Sequence, residues 1–481
     1  MELELERFLQ QNFGYEAFKL GQKETITSLL EHKDTLAILP TGTGKSLCYQ
    51  FIGQYLNKPV LIVSPLISLM QDQVEQLRYQ GQKATVALNS SLSYSEKRFV
   101  LNNLTQFKYI YISPEMLSSN EVLGRLQALD LGLFVVDEAH CISKWGPDFR
   151  PDYLNLGRIR HFLGDPLTLA LTATATENVA QDIIKELDIK QAELIRYPVD
   201  RPNIFLAVEK FTDQAQKDEY LFSIMQKLHG AGIIYFSSKK QAEKIKQQLI
   251  AQKISTAVYH ADLSLTERFL VQQQFLTGQL DVICATSAFG MGINKADVRY
   301  VIHYHMPNDL EDYVQEIGRC SRDGALGVAL LLYEPQDLKR QEFIIQKSLP
   351  DRQQINYFAK QKALLENFSG EELELLKRLF ANGYSATQIL ELVQIRQKKR
   401  TKALFKLLEY IETKECRRQF IATYFKDQAP KHRIKNCCDR DEPFDFSQLK
   451  SKNHKILKKE SLKTSDYQKI LAKLFKDYEL K

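Results

Sequence analysis

Thr35-Leu36-Ala37-Ile38-Leu39-Pro40-Thr41-Gly42-Thr43-Gly44-Lys45-Ser46 decides the fold of this 481-residue chain. It opens on an apolar run of the length and character of a strand buried on both faces. The glycines that follow let backbone N–H groups close round phosphate oxygens, and a helix starting just after them would turn its positive end to an anion. Thr41, Gly42, Thr43 and Gly44 form the cradle. Lys45 would reach the β- and γ-phosphates of a nucleotide, and the Ser46 hydroxyl would ligate Mg²⁺. The run departs from the strict phosphate-loop pattern, because Leu39 stands at its first glycine position. A simple glycine turn would need no Gly-Lys-Ser, so the phosphate reading is preferred.

Further apolar runs at 59–63, 109–112, 133–136 and 167–171 alternate with amphipathic, helix-like segments. That alternation predicts a parallel α/β sheet. A second set follows at 232–236, 255–259, 282–285, 300–303 and 328–332, so two consecutive α/β domains of similar size are expected. Residues 197–203, ending Arg201-Pro202-Asn203, read as the linker between them. From about residue 334 the strand signal fades into helical patterns at 371–380, 386–393 and 402–411. The expected division is 1–203, 204–338, a helical module 339–440 and a Lys-rich tail 441–481, with a disordered stretch near 439–452.

Composition sets the bounds. The chain is too long for one hydrophobic core, and its mean hydropathy of −0.32 is that of a globular protein in water. No apolar run is long enough to span a bilayer and no signal-peptide pattern opens the chain. Seven scattered cysteines fit a reducing cytosol rather than a disulfide framework. Net charge is +6, yet residues 396–481 hold 24 Lys and Arg against 12 Asp and Glu. The remainder is therefore acidic by 6, and the C-terminal region is a concentrated positive surface. A solvated helical face is the common origin of such a surface; attraction to a phosphate backbone is preferred only because the other features agree.

Asp137-Glu138-Ala139-His140 ends the run at 133–136. Asp137 is placed to hold Mg²⁺ through water and Glu138 to polarise the attacking water, with His140 the third catalytic candidate of the box. A lone acidic pair would be a helix cap; its distance along the chain from the phosphate loop favours catalysis. The only tryptophan, Trp145, follows at once in a loop that also carries Phe149 and Arg150, an aromatic and basic set fit to stack on a base and touch a phosphate. Nucleotide chemistry and nucleic-acid contact thus sit a few peptide bonds apart. Further on, Gln315-Glu316-Ile317-Gly318-Arg319-Cys320-Ser321-Arg322-Asp323-Gly324 carries two arginines that would share a face if helical. They could cross an interdomain cleft to the γ-phosphate; the alternative is a structural ion pair with Glu316 or Asp323.

These motifs, in this order, resemble superfamily-2 helicases, and specifically the RecQ family of DNA helicases, over about residues 9–425. Phe13-Gly14-Tyr15-Glu16-Ala17-Phe18-Lys19-Leu20-Gly21-Gln22 is similar to the family's adenine-recognition motif. The resemblance implies that Tyr15 and Lys19 flank adenine and that Gln22 bonds its edge; the family usually has arginine at residue 19, and lysine lacks the planar stacking surface. Ser64–Gln73, Ser113–Leu117, Leu171–Thr176, Tyr235–Ser238 and Ala285–Lys295 match further family segments. Gly318-Arg319-Cys320-Ser321-Arg322 resembles the family's Gly-Arg-Ala-Gly-Arg with both arginines kept. The likeness implies two tandem RecA-like parallel-sheet domains followed by a helical module, ATP and Mg²⁺ as cofactors, DNA as partner, and 3′-to-5′ unwinding in repair or recombination. It further implies a cytoplasmic, nucleoid-associated protein, with single-strand-binding or repair proteins as partners and no membrane.

Glu415-Cys416-Arg417-Arg418-Gln419-Phe420 resembles the start of the family's zinc-binding domain, which uses four thiolates. Here Lys435 and Asp441 stand where cysteines belong, and adjacent Cys437 and Cys438 are an awkward pair for one ion. A residual zinc site would draw on Cys416, one of that pair, His432 and Asp441. The expectation is a degraded site whose helices pack without metal, supported by an extra helical stretch at 369–400. The tail is too short for the winged-helix and helical domains that family members carry beyond this point. Two rival readings remain: an RNA helicase of the DEAD/DEAH type, and a nucleic-acid-binding scaffold without catalysis.

Overall fold

The computed structural model describes residues 2–65, 67–143, 150–290, 295–427 and 435–449. Thirteen described strands form two sheets, and every pairing within them is parallel. The first holds β1 (Thr35–Ile38), β2 (Val60–Val63), β3 (Thr85–Leu88), β4 (Tyr109–Ile112), β5 (Leu133–Val136), β6 (Thr168–Thr172) and β7 (Glu193–Arg196), in the order β3-β4-β2-β5-β6-β1-β7. The second holds β8 (Ile204–Lys210), β9 (Ala231–Tyr235), β10 (Thr256–Tyr259), β11 (Val282–Ala285), β12 (Val298–His303) and β13 (Gly327–Tyr333), in the order β10-β11-β9-β12-β13-β8.

The strand β1 shows why these runs become central strands. Leu36 and Ile38 enter one core cluster and Ala37 enters the cluster on the opposite face, so alternate side chains are buried on both sides. Helices packed on both faces complete each lobe. Three strands lie outside the expected set: β3, β7 and β8. Each is a sheet edge. The exposure of Glu193 and Leu194 in β7 leaves little apolar pattern to read, and β8 follows β7 with no helix between, so the strand–helix alternation is missing there.

The helical region differs from expectation in three ways. The patterns at 386–393 and 402–411 are one helix, Ala386–Glu412, 27 residues long, opened by a capping box between Ser385 and Gln388. Its first half packs in a cluster with Phe358, Leu376 and Leu379, against which Leu154 of the first lobe also lies. Its second half places Leu404, Leu407, Tyr410 and Ile411 in the core of the second lobe. The stretch expected to be disordered near 439–452 is ordered as far as it is described. Cys438 bridges to Leu206 on the open edge of β8, and Asp439 N donates to Leu206 O at 3.0 Å. Phe444, Phe446 and Leu449 pack into the second lobe, so residues 441–449 belong with it rather than with a tail. The physical reason is the edge: β8 leaves backbone groups unpaired, and this segment covers them.

Candidate nucleotide site between the lobes

The phosphate loop leaves the C-terminal end of β1 and enters the helix Ser46–Tyr55. Gly42 and Gly44 sit at φ +89 and +73, where a β-carbon is strained. Lys45 Nζ lies 3.4 Å from Leu39 O. Burial pulls its ammonium pKa down, while Glu138 and Asp137 hold it up. Those carboxylates leave the end of β5, which lies two strands from β1 in the same sheet, so one edge of parallel strand ends gathers all three groups.

Asp137 is pushed up to about 7, by burial first and by Glu138 second, with Lys45 opposing. Glu138 is itself in the left-handed region (φ 47, ψ 48) and buried. Strained backbone of this kind in a non-glycine residue costs about 1–3 kcal/mol and persists where surroundings impose it. Its Oε2 has no hydrogen-bond partner among the described residues and lies 3.3 Å from His140 Nδ1. His140 Nδ1 is also 2.9 Å from Thr172 Oγ1, which donates to Thr174 O, so the box is tied to the 171–176 segment.

The opposite wall comes from the second lobe. The helix Leu310–Ile317 ends before Arg319, and Ser321 adopts φ 47. Arg319 and Arg322 therefore sit on a turn, so the condition for a shared helix face is not met. The turn lies directly against the phosphate loop, with Arg322 beside Gly42. A β-carbon on Gly42 would lie 2.9 Å from Arg322 Cγ, and one on Gly318 would lie 1.7 Å from Thr41 Oγ1. Among the described residues, Asp323 pairs with Arg299 and Glu316 with His303. Arg322 is desolvated and crowded by Arg319 and Arg201, all of which lower its pKa. Arg319 Nε has no hydrogen-bond partner among the described residues. Buried cations converging on a glycine-lined loop, with unsatisfied polar atoms on both walls, fit a polyanion and its Mg²⁺.

The segment expected to recognise adenine lies against the phosphate loop. Gln22 is buried: Oε1 accepts from Lys19 N (2.8 Å), and Nε2 donates to Thr43 O (2.7 Å) and Gly44 O (3.0 Å). It braces the phosphate loop with both amide hydrogens, and the second lone pair of Oε1 is left to accept a further donor. Tyr15 and Lys19 are exposed beside it. Trp145 and Phe149 lie outside the described residues. Arg150 N donates to Cys141 O, which fixes the end of that loop beside the carboxylate box.

Cys416, Cys437, Cys438 and Asp441 offer donor atoms that all lie within 4.8 Å of one another. Sγ–Sγ separations are 3.5 Å for Cys416–Cys437 and 3.8 Å for Cys416–Cys438, and Cys438 Sγ is 3.6 Å from Asp441 Oδ2. A tetrahedron with Zn–S of about 2.3 Å has edges near these lengths. Both adjacent cysteines therefore reach the group, which removes the geometric objection to the pair. His432 lies outside the described residues. The hydrogen bond from Cys437 leads the causes that hold the Cys438 thiol down, to about 6.

One functional candidate escaped the sequence. Arg201, in the linker, donates to Thr41 O and Gly318 O (3.2 and 3.1 Å) and to Cys320 O and Ser321 O (3.2 and 2.8 Å). The Arg-Pro-Asn run was its only signal, and a linker arginine is ordinarily a solvated charge.

Comparison with known proteins accords with this geometry. The DEAD/DEAH box helicase model matches residues 19–183, the helicase conserved C-terminal domain 216–324, and the RecQ zinc-binding model 335–442. The probable ATP-dependent DNA helicase RecS of Bacillus subtilis is 42% identical over 439 residues, covering 88% of each chain. ATP-dependent DNA helicase RecQ of the same organism is 37% identical over 423 residues, 87% of this chain and 64% of its own. Among solved structures, Mycobacterium smegmatis helicase Lhr bound to ssDNA and AMP-PNP superposes with a TM-score of 0.57 at 17% identity, covering 84% of this chain and 57% of that one. The fold is thus that of tandem RecA-like helicase lobes, and the chain belongs to the RecQ family of ATP-dependent helicases.

Proposed function

We propose that this chain is a DNA-stimulated ATPase that moves 3′-to-5′ along one DNA strand and unwinds duplex ahead of it, serving repair or recombination in the cytoplasm. The observation that carries the reading is the meeting of the phosphate loop and the arginine turn across one cleft, with Gly42 against Arg322 and Gly318 against Thr41. Lys45 and the loop N–H groups would bind the phosphates, and Ser46 with Asp137 would hold Mg²⁺, which when bound neutralises phosphate charge and orients the γ-phosphoryl group. Glu138 would orient the attacking water, and His140 would relay the state of the box to Thr172. Arg319 and Arg322 would stabilise the charge that develops as the bond breaks. Because those arginines ride on the second lobe, closing and opening of the cleft would shift its grip on DNA. Trp145, Phe149 and Arg150 would sense that strand.

We take 1–203 and 204–338 as the lobes, with 339–440 the module and the Lys-rich residues after Leu449 as an unspecific phosphate-binding extension. Cys416, Cys437, Cys438 and Asp441 would hold zinc, which would cross-link the module where it meets β8.

Lys45→Ala should lower DNA-stimulated phosphate release by at least about a hundredfold while leaving single-strand binding intact. Unwinding should occur on a 3′-tailed duplex and not on a 5′-tailed one. Greater ATPase stimulation by RNA than by DNA would instead favour an RNA helicase, and a wild-type protein that releases no phosphate would leave only a scaffold.

A further inference from the structure

We propose that Arg201, in the linker between the lobes, is a positioning residue for hydrolysis: its guanidinium locks the arginine turn of the second lobe to the phosphate loop of the first. The inference rests on the reading of the cleft as an ATPase site and adds to it a residue that touches neither phosphate nor water.

The geometry is specific to one side chain. Arg201 Nη1 donates to a carbonyl on each wall, Thr41 O and Gly318 O, and Nη2 donates to Cys320 O and Ser321 O. The same Ser321 carbonyl takes a second bond from Asn203 Nδ2 at 2.9 Å, while Arg299 Nη1 lies 3.1 Å from its hydroxyl. Ser321 is the residue whose left-handed backbone reverses the chain between Arg319 and Arg322. Without glycine there, that conformation is held against its own strain, and the linker supplies part of what holds it. The linker is itself anchored from behind. Arg418, almost wholly buried, pairs with Asp200 and donates to Arg201 O (3.1 Å) and Ile204 O (2.6 Å). Arg201 therefore has a fixed base and a planar fork that spans both lobes, which a point charge on a lysine stem does not reproduce. Burial lowers its pKa. Four carbonyl dipoles surround the guanidinium, and its charge adds to the cationic wall beside Arg322.

The test is steady-state ATPase at saturating oligo(dT), with equilibrium binding of a fluorescent ADP analogue and a melting curve for each variant. Arg201→Gln should lower kcat about tenfold to a hundredfold, the scale of cost for a misplaced transition-state group. ADP affinity should stay within a few fold, because Lys45 and Ser46 keep their places. Arg201→Lys, which keeps the charge and should fold where glutamine does not, should lose most of the same kcat. Asn203→Ala, which relieves Ser321 O of one donor, should show a smaller fall of the same kind. A kcat for Arg201→Gln or Arg201→Lys within about twofold of wild type overturns the proposal, as does a kcat loss matched by an equal loss of ADP affinity. Failure of the wild-type protein to turn over ATP sinks the ATPase reading itself, an outcome distinct from these.

Discussion

Asp137 shows how single positions here trade stability for chemistry. Burial first and Glu138 second push its carboxyl up to about 7. An unfolded aspartate titrates at about 3.9. The folded state thus binds the extra proton between about pH 4 and 7, and stability falls as pH rises through that window. Mg²⁺ binding has the opposite sign, since only the ionised carboxylate ligates. Two outcomes follow for Asp137→Asn. The nucleotide-free variant should unfold at higher denaturant than wild type at pH 8, by roughly 1–4 kcal/mol, and its phosphate release should vanish. Wild-type affinity for Mg²⁺ should weaken as pH drops below about 7. Denaturant titrations at pH 5 and 8, with calorimetric Mg²⁺ titrations, check all of this; a variant less stable than wild type at pH 8 contradicts the raised carboxyl.

Among the elements, the segment Cys437–Asp441 does the most with the fewest residues. It pairs with the edge of β8 through Leu206, offers three of the four candidate metal donors, and gives Asp439 to the buried Arg417, whose Nη1 also reaches Tyr410 O. Metal binding here would be coupled to the packing of the helix Arg417–Phe425 on the second lobe. Purified protein should carry one zinc per chain, and cobalt in its place should give the intense thiolate charge-transfer band expected of a three-sulfur site. Cys438→Ser should lose the metal and lower the melting temperature. Metal-free protein with unchanged melting temperature after chelation would return the cluster to a set of packed thiols.

For the molecule as a whole, charge and connectivity divide the labour. The 27-residue helix Ala386–Glu412 is about 40 Å long and runs from a cluster touching the first lobe into the core of the second. Asn382, just ahead of it, bonds Asn155 and Asp152 of the first lobe, and Arg378 pairs with Glu115 and Asp152. The helical region is a strut across both lobes, whereas residues 451–481 add nine lysines against four acids to the chain's charge. Deleting 451–481, and not 441–481, removes that charge without stripping Leu449 or Phe444 from the core. The shortened protein should bind single-stranded DNA more weakly, with a shallower slope of log affinity on log salt. An unchanged slope would show that the lysines do not meet phosphate. No helix among the described residues is long and apolar enough to cross a membrane.

Local chemistry was written in the chain. Leu39–Ser46 and Asp137–His140 are legible as a phosphate loop and a carboxylate box because residue type and spacing limit what such segments can do. The central strands announce themselves because burial on both faces leaves continuous apolar runs. Contacts between distant segments left no such trace. Neither the left-handed turn at Ser321, the bracing of the phosphate loop by Gln22, the convergence of adjacent Cys437 and Cys438 with Cys416, nor the grip of Arg201 on two lobes has a periodicity. Each depends on which groups the folded backbone brings together from separate parts of the chain, and only tertiary packing settles that.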